Sequence, residues 1–285
     1  MSFKGTLIRT LNRHVLHRWR LALRKDGQDD DNYVLTPFYQ DRLVEGLSGA
    51  LALFVERARL GSGADSAPLA AIVRDFIALY RRRPVRDNTG GCGFTGSLSL
   101  YLVARLVEPT LVVESGTWQG HSSWLLAEAC PGAALHSFDI EHDNLLHRDP
   151  RVTYHRCDWL TYPIEPADPS QSLIFFDDHV SHARRLKEAH GRGFRMAMFD
   201  DDLTVDSLFV TGMPPAPTVA MLMDPDMGPG QSVEWVYRGR HHRFRMDEDV
   251  AEARALIAEC HRLPDLSGVS HYRSHHGMSF VRLID

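Results

Sequence analysis

The fold of this chain is decided by the stretch LVVESGTWQGHSSWLLAEACPGAALHSFD, which covers residues 111–139. An apolar run opens the stretch and ends in Glu114, and a turn that contains Gly116 and Gly120 follows. A Pro-Gly pair ends the helix after this turn, and a second apolar run ends in Asp139. Strand, glycine turn, helix and strand predict one βαβ unit of an open parallel sheet. In such sheets ligands bind outside the carboxyl ends of the strands, so we expect both acids to lie beside a ligand.

The spacing of the glycines distinguishes between ligands. A dinucleotide-binding turn has the pattern G-x-G-x-x-G, in which the middle glycine lets the backbone approach a pyrophosphate. Here the pattern is E-x-G-x-x-x-G, and Trp118 occupies the space where a pyrophosphate would pass. The turn therefore disfavours a nicotinamide-dependent oxidoreductase. An ordinary βαβ turn with solvated acids is the alternative that the pattern leaves open.

The turn resembles the first motif of class I methyltransferases that use S-adenosylmethionine (SAM). The resemblance implies that the methionine end of SAM lies against this turn, beside Gly116, Thr117, Gly120 and Ser122. The free N–H groups at the start of the following helix would bind the methionine carboxylate.

Four acids complete the expected cofactor site. Glu114 is expected to meet the methionine ammonium group, directly or through water. Asp139 is placed to accept both ribose hydroxyls, as an acid does in dinucleotide folds. Asp158, after the third predicted strand, matches the acid that contacts the adenine amine in the methyltransferase pattern. Asp177, at the end of the fourth predicted strand, is the fourth expected contact.

The composition limits the class of protein. The chain has 285 residues, of which 44% are hydrophobic and 24% charged, and this suits one large α/β domain with an extension. Its net charge of −5 gives no electrostatic reason to expect nucleic acid as a partner. The four cysteines include no CxxC pair, so neither a zinc site nor a disulfide framework is indicated, and a reducing cytoplasmic location fits best. No apolar run approaches the roughly 20 residues of a membrane span.

The N-terminal segment, residues 1–25, is basic and contains no acid. Its basic residues alternate with apolar ones, and no continuous apolar core follows, so the segment is not a secretory signal. A basic amphipathic helix of this kind could make a peripheral contact with an anionic membrane surface. The alternative that we favour is a helix that packs on its own domain or on a second copy of the chain in a homo-oligomer.

The remaining pattern predicts an α/β fold with a doubly wound, Rossmann-like sheet of seven strands, of the methyltransferase type. Helices are predicted at residues 43–60, 69–80, 98–106 and 252–260. Further strands are predicted at residues 152–155, 171–178, 194–199, 232–245 and 278–283. We expect the last strand to run antiparallel, and we divide the chain into an N-terminal helical extension, residues 1–86, and a SAM-binding domain, residues 87–285.

Two predicted neighbouring strands each end in consecutive aspartates, at residues 177–178 and 200–202. Such clustering is costly because like charges raise each other's pKa. Mg²⁺ or another divalent cation removes the cost, since it takes oxygen ligands and usually keeps one or two carboxylates with water and substrate. A bound cation would polarise a substrate hydroxyl and ease its deprotonation. The alternative is two separate solvated strand ends, one of which caps the next helix.

The segments VESGTWQGHSSW, FFDDH and FDDDL, in this order, resemble the metal-dependent small-molecule O-methyltransferases, and most closely the macrocin O-methyltransferase-like families. The resemblance covers about residues 88–203. In catechol O-methyltransferase an Asp-His pair follows the fourth strand, and it aligns with Asp178 and His179. The Asp-Asn pair after its fifth strand aligns with Asp201 and Asp202.

This alignment implies that Asp178, Asp201 and Asp202 are the metal ligands. A slip of one residue would use Asp177 and Asp200 instead. The catalytic lysine of catechol O-methyltransferase has no clear counterpart here, which puts the identity of the base in doubt.

The resulting hypothesis is in-line transfer of the SAM methyl group to a hydroxyl of a small molecule, such as a sugar or a phenolic natural product. Asp178 would act at the reaction centre through the metal, and His179 or His182 would take the hydroxyl proton. The N-terminal helices and residues 204–231 are expected to recognise the acceptor. The alternative is a non-catalytic protein that binds SAM or a nucleotide and acts through partners.

Overall fold

The computed structural model describes residues 32–61, 66–247, 249–273 and 277–285. The predicted basic helix at residues 1–25 lies outside the described residues. The helices are α1 (Pro37–Arg57), α2 (Ser66–Tyr80), α3 (Phe94–Val107), α4 (His121–Ala129), α5 (His182–Gly191), α6 (Val219–Met223), α7 (Asp249–Ala255) and α8 (Ser267–Ser270). The strands are β1 (Leu111–Ser115), β2 (Ala134–Phe138), β3 (Val152–His155), β4 (Ser172–Phe176), β5 (Met196–Phe199), β6 (Ser232–Tyr237), β7 (Arg240–Arg245), β8 (Ile257–Arg262) and β9 (Ser279–Leu283).

Seven of these strands form one sheet in the order β3-β2-β1-β4-β5-β9-β8. Strands β1 to β5 run parallel to one another, whereas β9 runs antiparallel to both β5 and β8. Since β2 and β4 flank β1, the order of the strands reverses at β1, and this is where open α/β sheets bind ligands. The strand order and the antiparallel β9 confirm the predicted methyltransferase-type sheet.

Successive residues of the central strands point into two separate cores, as the two-residue period of a strand requires. Val112 and Phe175 lie in the core that α1 to α4 cover. Val113 and Ile174 lie in the opposite core, which α5 to α7 cover. The central strands are therefore apolar on both faces, as expected for a parallel sheet between two layers of helices. Helices α1 and α2 share the first core with α3 and α4, and the predicted division at residue 86 stays a prediction.

Two predicted elements are wrong. Residues 232–245 do not form one strand of the main sheet but the hairpin of β6 and β7. Arg238 and Gly239 both have positive φ, of 49° and 76°, as the tight turn of such a hairpin requires. The helix predicted at residues 252–260 ends at Ala255, and the rest of that segment becomes β8, because pairing with β9 overrides its helical propensity.

Among the described residues, no helix combines the length and the apolarity that crossing a bilayer requires.

Candidate active site

A cavity of about 500 Å³ opens where the carboxyl ends of β1, β2 and β4 meet. This volume is in the range of small-molecule sites. The cavity is bounded by the glycine turn after β1, the end of β2, the segment after β3, the loop after β4 and the first turn of α5. Six of the residues predicted from sequence line it: Gly116, Asp139, Asp158, Asp177, Asp178 and His179.

The turn after β1 depends on two glycines. Gly116 has a φ of +105°, and a Cβ atom there would lie 2.2 Å from the backbone oxygen of Asp177. Gly120 has a φ of +85°, and its Cβ atom would lie 2.1 Å from the backbone oxygen of His147. Any larger residue would push the loops after β4 and β2 away from the turn, so both glycines are required by close backbone approach.

The residues around Trp118 form one wall of the cavity. The Trp118 indole N–H donates to the backbone oxygen of Thr89 at 3.1 Å, and its ring lies 3.6 Å from where a Cβ atom of Gly90 would be. The glycine-rich loop before α3 therefore lies over the turn. The side chain of Asn88 is buried, and its amide donates to the backbone oxygen of Cys92 at 3.0 Å, within this loop.

Asp139 holds the turn from the end of β2. Its Oδ2 atom accepts hydrogen bonds from the backbone N–H groups of Thr117 at 3.0 Å and Trp118 at 3.2 Å, and its Oδ1 atom accepts from Glu141 at 3.1 Å. The carboxylate that was predicted to meet a ribose therefore also fixes the backbone of the glycine turn.

Glu114 lies behind the turn and is not among the residues that line the cavity. Its carboxyl group accepts hydrogen bonds from Ser123 and Ser137, while its Oε1 atom is buried without a hydrogen-bond partner. Burial raises the pKa of Glu114 to about 7, although hydrogen bonds from Ser122, Ser123 and Ser137 lower it. A contact with an ammonium group would therefore need a bridging water, which was one of the two expected modes.

Thr117 and Ser122, the other predicted turn residues, are buried. The hydroxyl of Thr117 lies 2.7 Å from that of Ser137. Neither residue is among those that line the cavity, so both side chains contribute to packing beneath the turn.

The acids at the end of β3 and β4 are held by one arginine. The Nη2 atom of Arg185 lies 2.9 Å from Asp158 and 2.7 Å from Asp178, and Nη1 lies 2.5 Å from Glu188. Burial opposes ionisation of Asp158, but the hydrogen bonds from Arg185 hold its pKa below the ordinary value. Asp178 also accepts a hydrogen bond from Ser115 at 2.5 Å.

A second group of acids lies at the ends of β4 and β5. Phe176 and Phe199 are partners in the register of the two strands, so the next residue of each strand, Asp177 and Asp200, comes at the same level of the sheet. Ligand atoms of Asp177, Asp200 and Cys92 lie within 4.8 Å of one another.

Ligand atoms of Asp177, His179 and Asp201 also lie within 4.8 Å of one another. His179 Nδ1 is 3.3 Å from the Oδ2 atom of Asp201, and both residues have positive φ, of 56° and 49°. Burial, together with the carboxylates of Asp200 and Asp201, raises the pKa of Asp177 well above its ordinary value.

These positions differ from the metal set that the alignment implied. Asp178 is turned to Arg185, and Asp202 is fully buried, where it accepts hydrogen bonds from the hydroxyl of Ser279 at 2.5 Å and from the backbone of Ala220 at 2.7 Å. Asp177 instead meets Asp200, as in the one-residue slip, and separately meets Asp201. The physical reason is that β4 and β5 end at Phe176 and Phe199, which are partners in the register, so the residues that meet directly after them are Asp177 and Asp200.

His182, the alternative base, is buried and does not line the cavity. It is 2% exposed, and its Nδ1 atom accepts a hydrogen bond from the backbone of Val219 at 3.2 Å. His179, by contrast, lines the cavity and has a side chain that is 60% exposed.

Sequence reasoning missed two residues of this site. Arg185 had no sequence signal of its own, because two of the three acids that it joins, Asp158 and Asp178, follow strands that are not neighbours in the sheet. Cys92, in the segment GGCGF, donates from its thiol to Asp200 at 3.1 Å. No spacing rule for cysteine pairs detects it, because its partners are carboxylates far along the chain.

No protein-family model matches the chain, and no curated protein matches it. Among solved structures, it is similar to the O-methyltransferase TomG from Streptomyces achromogenes, involved in tomaymycin synthesis and solved with SAM, at 15% identity over 68% of this chain and 82% of that chain, with a TM-score of 0.43. A putative O-methyltransferase from Klebsiella pneumoniae matches at 17% identity over 69% and 83%, with a TM-score of 0.43. An O-methyltransferase from Bacillus cereus, solved with S-adenosylhomocysteine (SAH), matches at 15% identity over 82% and 97%, with a TM-score of 0.40. All three TM-scores are below 0.5.

Proposed function

We propose that this protein is a SAM-dependent O-methyltransferase that acts on a hydroxyl group of a small molecule with the help of a divalent cation. The observation that carries the proposal is the cavity at the carboxyl ends of β1, β2 and β4, which brings the glycine turn, Asp139 and the acids after β4 to one place. We also propose that the protein is related to the macrocin O-methyltransferase-like families.

The residues at the turn fit SAM, which has no phosphate. Trp118 takes the place of the middle glycine of a dinucleotide turn and packs against the loop at Gly90, whereas the N–H groups at the start of α4 suit a carboxylate. The carboxylate of Asp139 accepts from three backbone amides, which leaves about one of its four acceptor positions for a ribose hydroxyl. The buried Oε1 atom of Glu114, which has no hydrogen-bond partner, suits a water that bridges to the ammonium group. When bound, SAM supplies a methyl group on a positively charged sulfur.

The donor set at the end of β4 and β5 fits a divalent cation. Two neighbouring groups of ligand atoms share the Asp177 carboxylate: Asp200 and Cys92 complete one group, and Asp201, beside His179, completes the other. The cation would take the carboxylate oxygens, and the imidazole of His179 would stay free to act as the base. The raised pKa of Asp177 reflects a concentration of negative charge that a cation would relieve. When bound, the cation supplies a Lewis acid for the accepting hydroxyl.

The residues of the chain then have three tasks. The turn and Asp139 orient the cofactor, the acids after β4 and β5 hold the acceptor oxygen in line with the methyl group, and His179 takes the hydroxyl proton. The exposed position of His179 in the cavity suits this role, and its contact with Asp201 orients the ring. We therefore assign the role of general base to His179 and not to His182, which is buried.

The proposal is tested by calorimetric titration with SAH, with and without Mg²⁺, and by transfer of labelled methyl groups from SAM to a panel of sugars and phenols. We expect SAH binding, and turnover that a chelator abolishes. Asp139→Asn should weaken SAH binding, whereas Glu141→Gln, an exposed neighbour, serves as the matched control.

Three other results would contradict parts of the proposal. SAH binding without turnover on any acceptor favours a non-catalytic protein that acts through partners. Turnover that does not respond to a chelator removes the cation. Binding of NADH without binding of SAH would return the chain to the nicotinamide-dependent oxidoreductases.

A further inference from the structure

We propose that Arg185 is a positioning residue that holds Asp158 as the acceptor for the amino group of a purine base, and so sets which purine the cavity takes. The inference rests on the proposed function, because it concerns the base of the same cofactor. Arg185 itself neither touches the reacting atoms nor supplies a ligand to the cation.

Arg185 lies at the junction of three elements. Its side chain is 2% exposed, although it borders the cavity. The two terminal nitrogens face the two oxygens of Asp158, with Nη2–Oδ2 at 2.9 Å and Nη1–Oδ1 at 3.4 Å. Nη2 also meets Asp178 at 2.7 Å, and Nη1 meets Glu188 at 2.5 Å. One guanidinium therefore joins the segment after β3, the loop after β4 and its own helix.

Only arginine can make this set of contacts. Its guanidinium is a planar fork that pairs with both oxygens of a carboxylate at once, whereas lysine presents a compact point charge. The side chain is also fixed from behind, since its Cζ atom lies 5.9 Å from the ring centroid of Phe176. The orientation of the Asp158 carboxylate is therefore determined by the fork.

The remaining acceptor capacity of Asp158 is directed by these contacts. A carboxylate has about four acceptor positions. In this structure Asp158 uses three of them, for the two Arg185 nitrogens and for the backbone N–H of Leu160 at 2.9 Å. The side chain is 29% exposed and lines the cavity, so acceptor capacity remains for a ligand.

An ionised carboxylate discriminates between purines by charge. It accepts a hydrogen bond from the exocyclic amine of adenine, whereas the carbonyl oxygen of hypoxanthine at the same ring position would face it as a second acceptor. A hydrogen bond to a charged group in a partly buried site corresponds to a preference of about 10- to 100-fold. The preference depends on Asp158 remaining ionised and correctly oriented, and both conditions depend on Arg185.

The test measures the binding of SAH and of S-inosylhomocysteine, in which hypoxanthine replaces adenine, to the full chain by calorimetry. The quantity of interest is the ratio of the two dissociation constants. We compare Arg185→Lys and Arg185→Gln with the matched control Arg184→Gln, because Arg184 also pairs with Glu188, at 2.6 Å, but from a side chain that is 58% exposed. Asp158→Asn removes the charge of the acceptor and keeps Arg185.

We expect the unaltered protein to prefer SAH by about 10- to 100-fold. The ratio should fall to within about 3-fold of unity in Arg185→Gln and Asp158→Asn and to an intermediate value in Arg185→Lys, and it should be unchanged in Arg184→Gln. A merely structural role of Arg185 would weaken both ligands equally and leave the ratio unchanged, and this result would overturn the inference.

Two further results separate this inference from the proposed function. If the unaltered protein binds SAH without preferring it, the inference fails and the proposed function stands. If it binds no SAH, both fail. If Arg185→Gln does not fold, Arg185→Lys, which keeps the charge, replaces it in the test. An unchanged ratio of the two dissociation constants in Arg185→Lys then overturns the inference.

Discussion

Two groups of acids at the same edge of the sheet solve the problem of crowded negative charge in opposite ways. Asp158, Asp178 and Glu188 surround the guanidinium of Arg185, and the pKa of Asp158 is lowered by it in spite of burial. Asp177 lies with Asp200 and Asp201, and its pKa is raised by burial and by those carboxylates. The first group carries its cation within the chain, whereas we propose that the second takes a cation from solution. The difference teaches that clustering alone does not predict a metal site, because the position of one arginine decides between the two outcomes.

The largest effect is expected where the internal cation is removed. Arg185→Gln leaves three acids of the first group without their shared partner, and breaking a buried ion pair in this way costs about 3–5 kcal/mol. Arg184→Gln, which removes an exposed pair, should cost less than about 1 kcal/mol. Denaturant unfolding of both variants at pH 7 measures the difference. Equal costs would mean that the two arginines are equivalent and that the first group is not held by Arg185.

Glu114 avoids a buried negative charge in a third way, by protonation. Its pKa is raised from 4.5 to about 7 because the side chain is buried. The folded state therefore binds the proton more tightly than the unfolded state, so this stability is fully present below about pH 4.5 and is lost as the pH rises to about 7. The loss amounts to about 3 kcal/mol, at about 1.4 kcal/mol for each pH unit.

The Glu114 prediction is checked by measuring unfolding free energies between pH 4.5 and 8 for the unaltered protein and for Glu114→Gln. The glutamine resembles the neutral acid in shape, so the variant should lack this part of the pH dependence. Identical pH profiles for the two proteins would show that Glu114 is ionised in the folded state.

The second group of acids is probed directly by Asp177→Asn. This variant removes the charge that both sets of neighbouring ligand atoms share. We expect Mg²⁺ affinity and cation-dependent turnover to fall by at least about 100-fold, while SAH binding stays within a few fold. Asp143→Asn, at a side chain that is 77% exposed, is the control. Retention of full Mg²⁺ affinity would place the cation elsewhere.

The smallest effect tests the contact between the turn and the loop that carries the second group. Gly116→Ala adds a Cβ atom 2.2 Å from the backbone oxygen of Asp177, at a φ of +105°. The strain should cost about 1–3 kcal/mol and weaken both SAH and Mg²⁺ binding. Gly132→Ala, which meets no atom within 4 Å, should change neither. Thermal unfolding and calorimetry compare the two, and an undisturbed Mg²⁺ affinity in Gly116→Ala would separate the turn from the cation site.

The βαβ unit could be predicted from sequence because glycine, helix and strand signals all agree there. β1, β2, α4 and the strand ends that carry the acids follow from short apolar runs and their flanking residues. The hairpin of β6 and β7 could not be recognised, because a two-stranded ribbon and a sheet strand share the same alternation. The division of residues 249–262 between α7 and β8 depends on pairing with β9, which lies outside that segment.

Within the site, the residue types were predictable and their directions were not. Successive strand residues point to opposite faces, so an error of one residue in a strand end exchanges the partners of every acid that follows. The resemblance to catechol O-methyltransferase put Asp178 and Asp202 at the cation, but these side chains are turned to Arg185 and to Ser279. The roles of Arg185 and Cys92 depend on contacts between distant segments, which no local pattern records.

Asp177 and Asp178 are neighbours in the chain but belong to opposite groups, one turned to Asp200 and Asp201 and the other to Arg185. A single peptide unit therefore separates the group in which an arginine neutralises the carboxylates from the group in which carboxylates face one another. The length of this strand end is constrained, because deleting or inserting one residue would put one of the two carboxylates in the other's place and move the second out of both groups. In a library of single-residue insertions and deletions, this step should tolerate length changes far less than the exposed turn at Arg238 and Gly239.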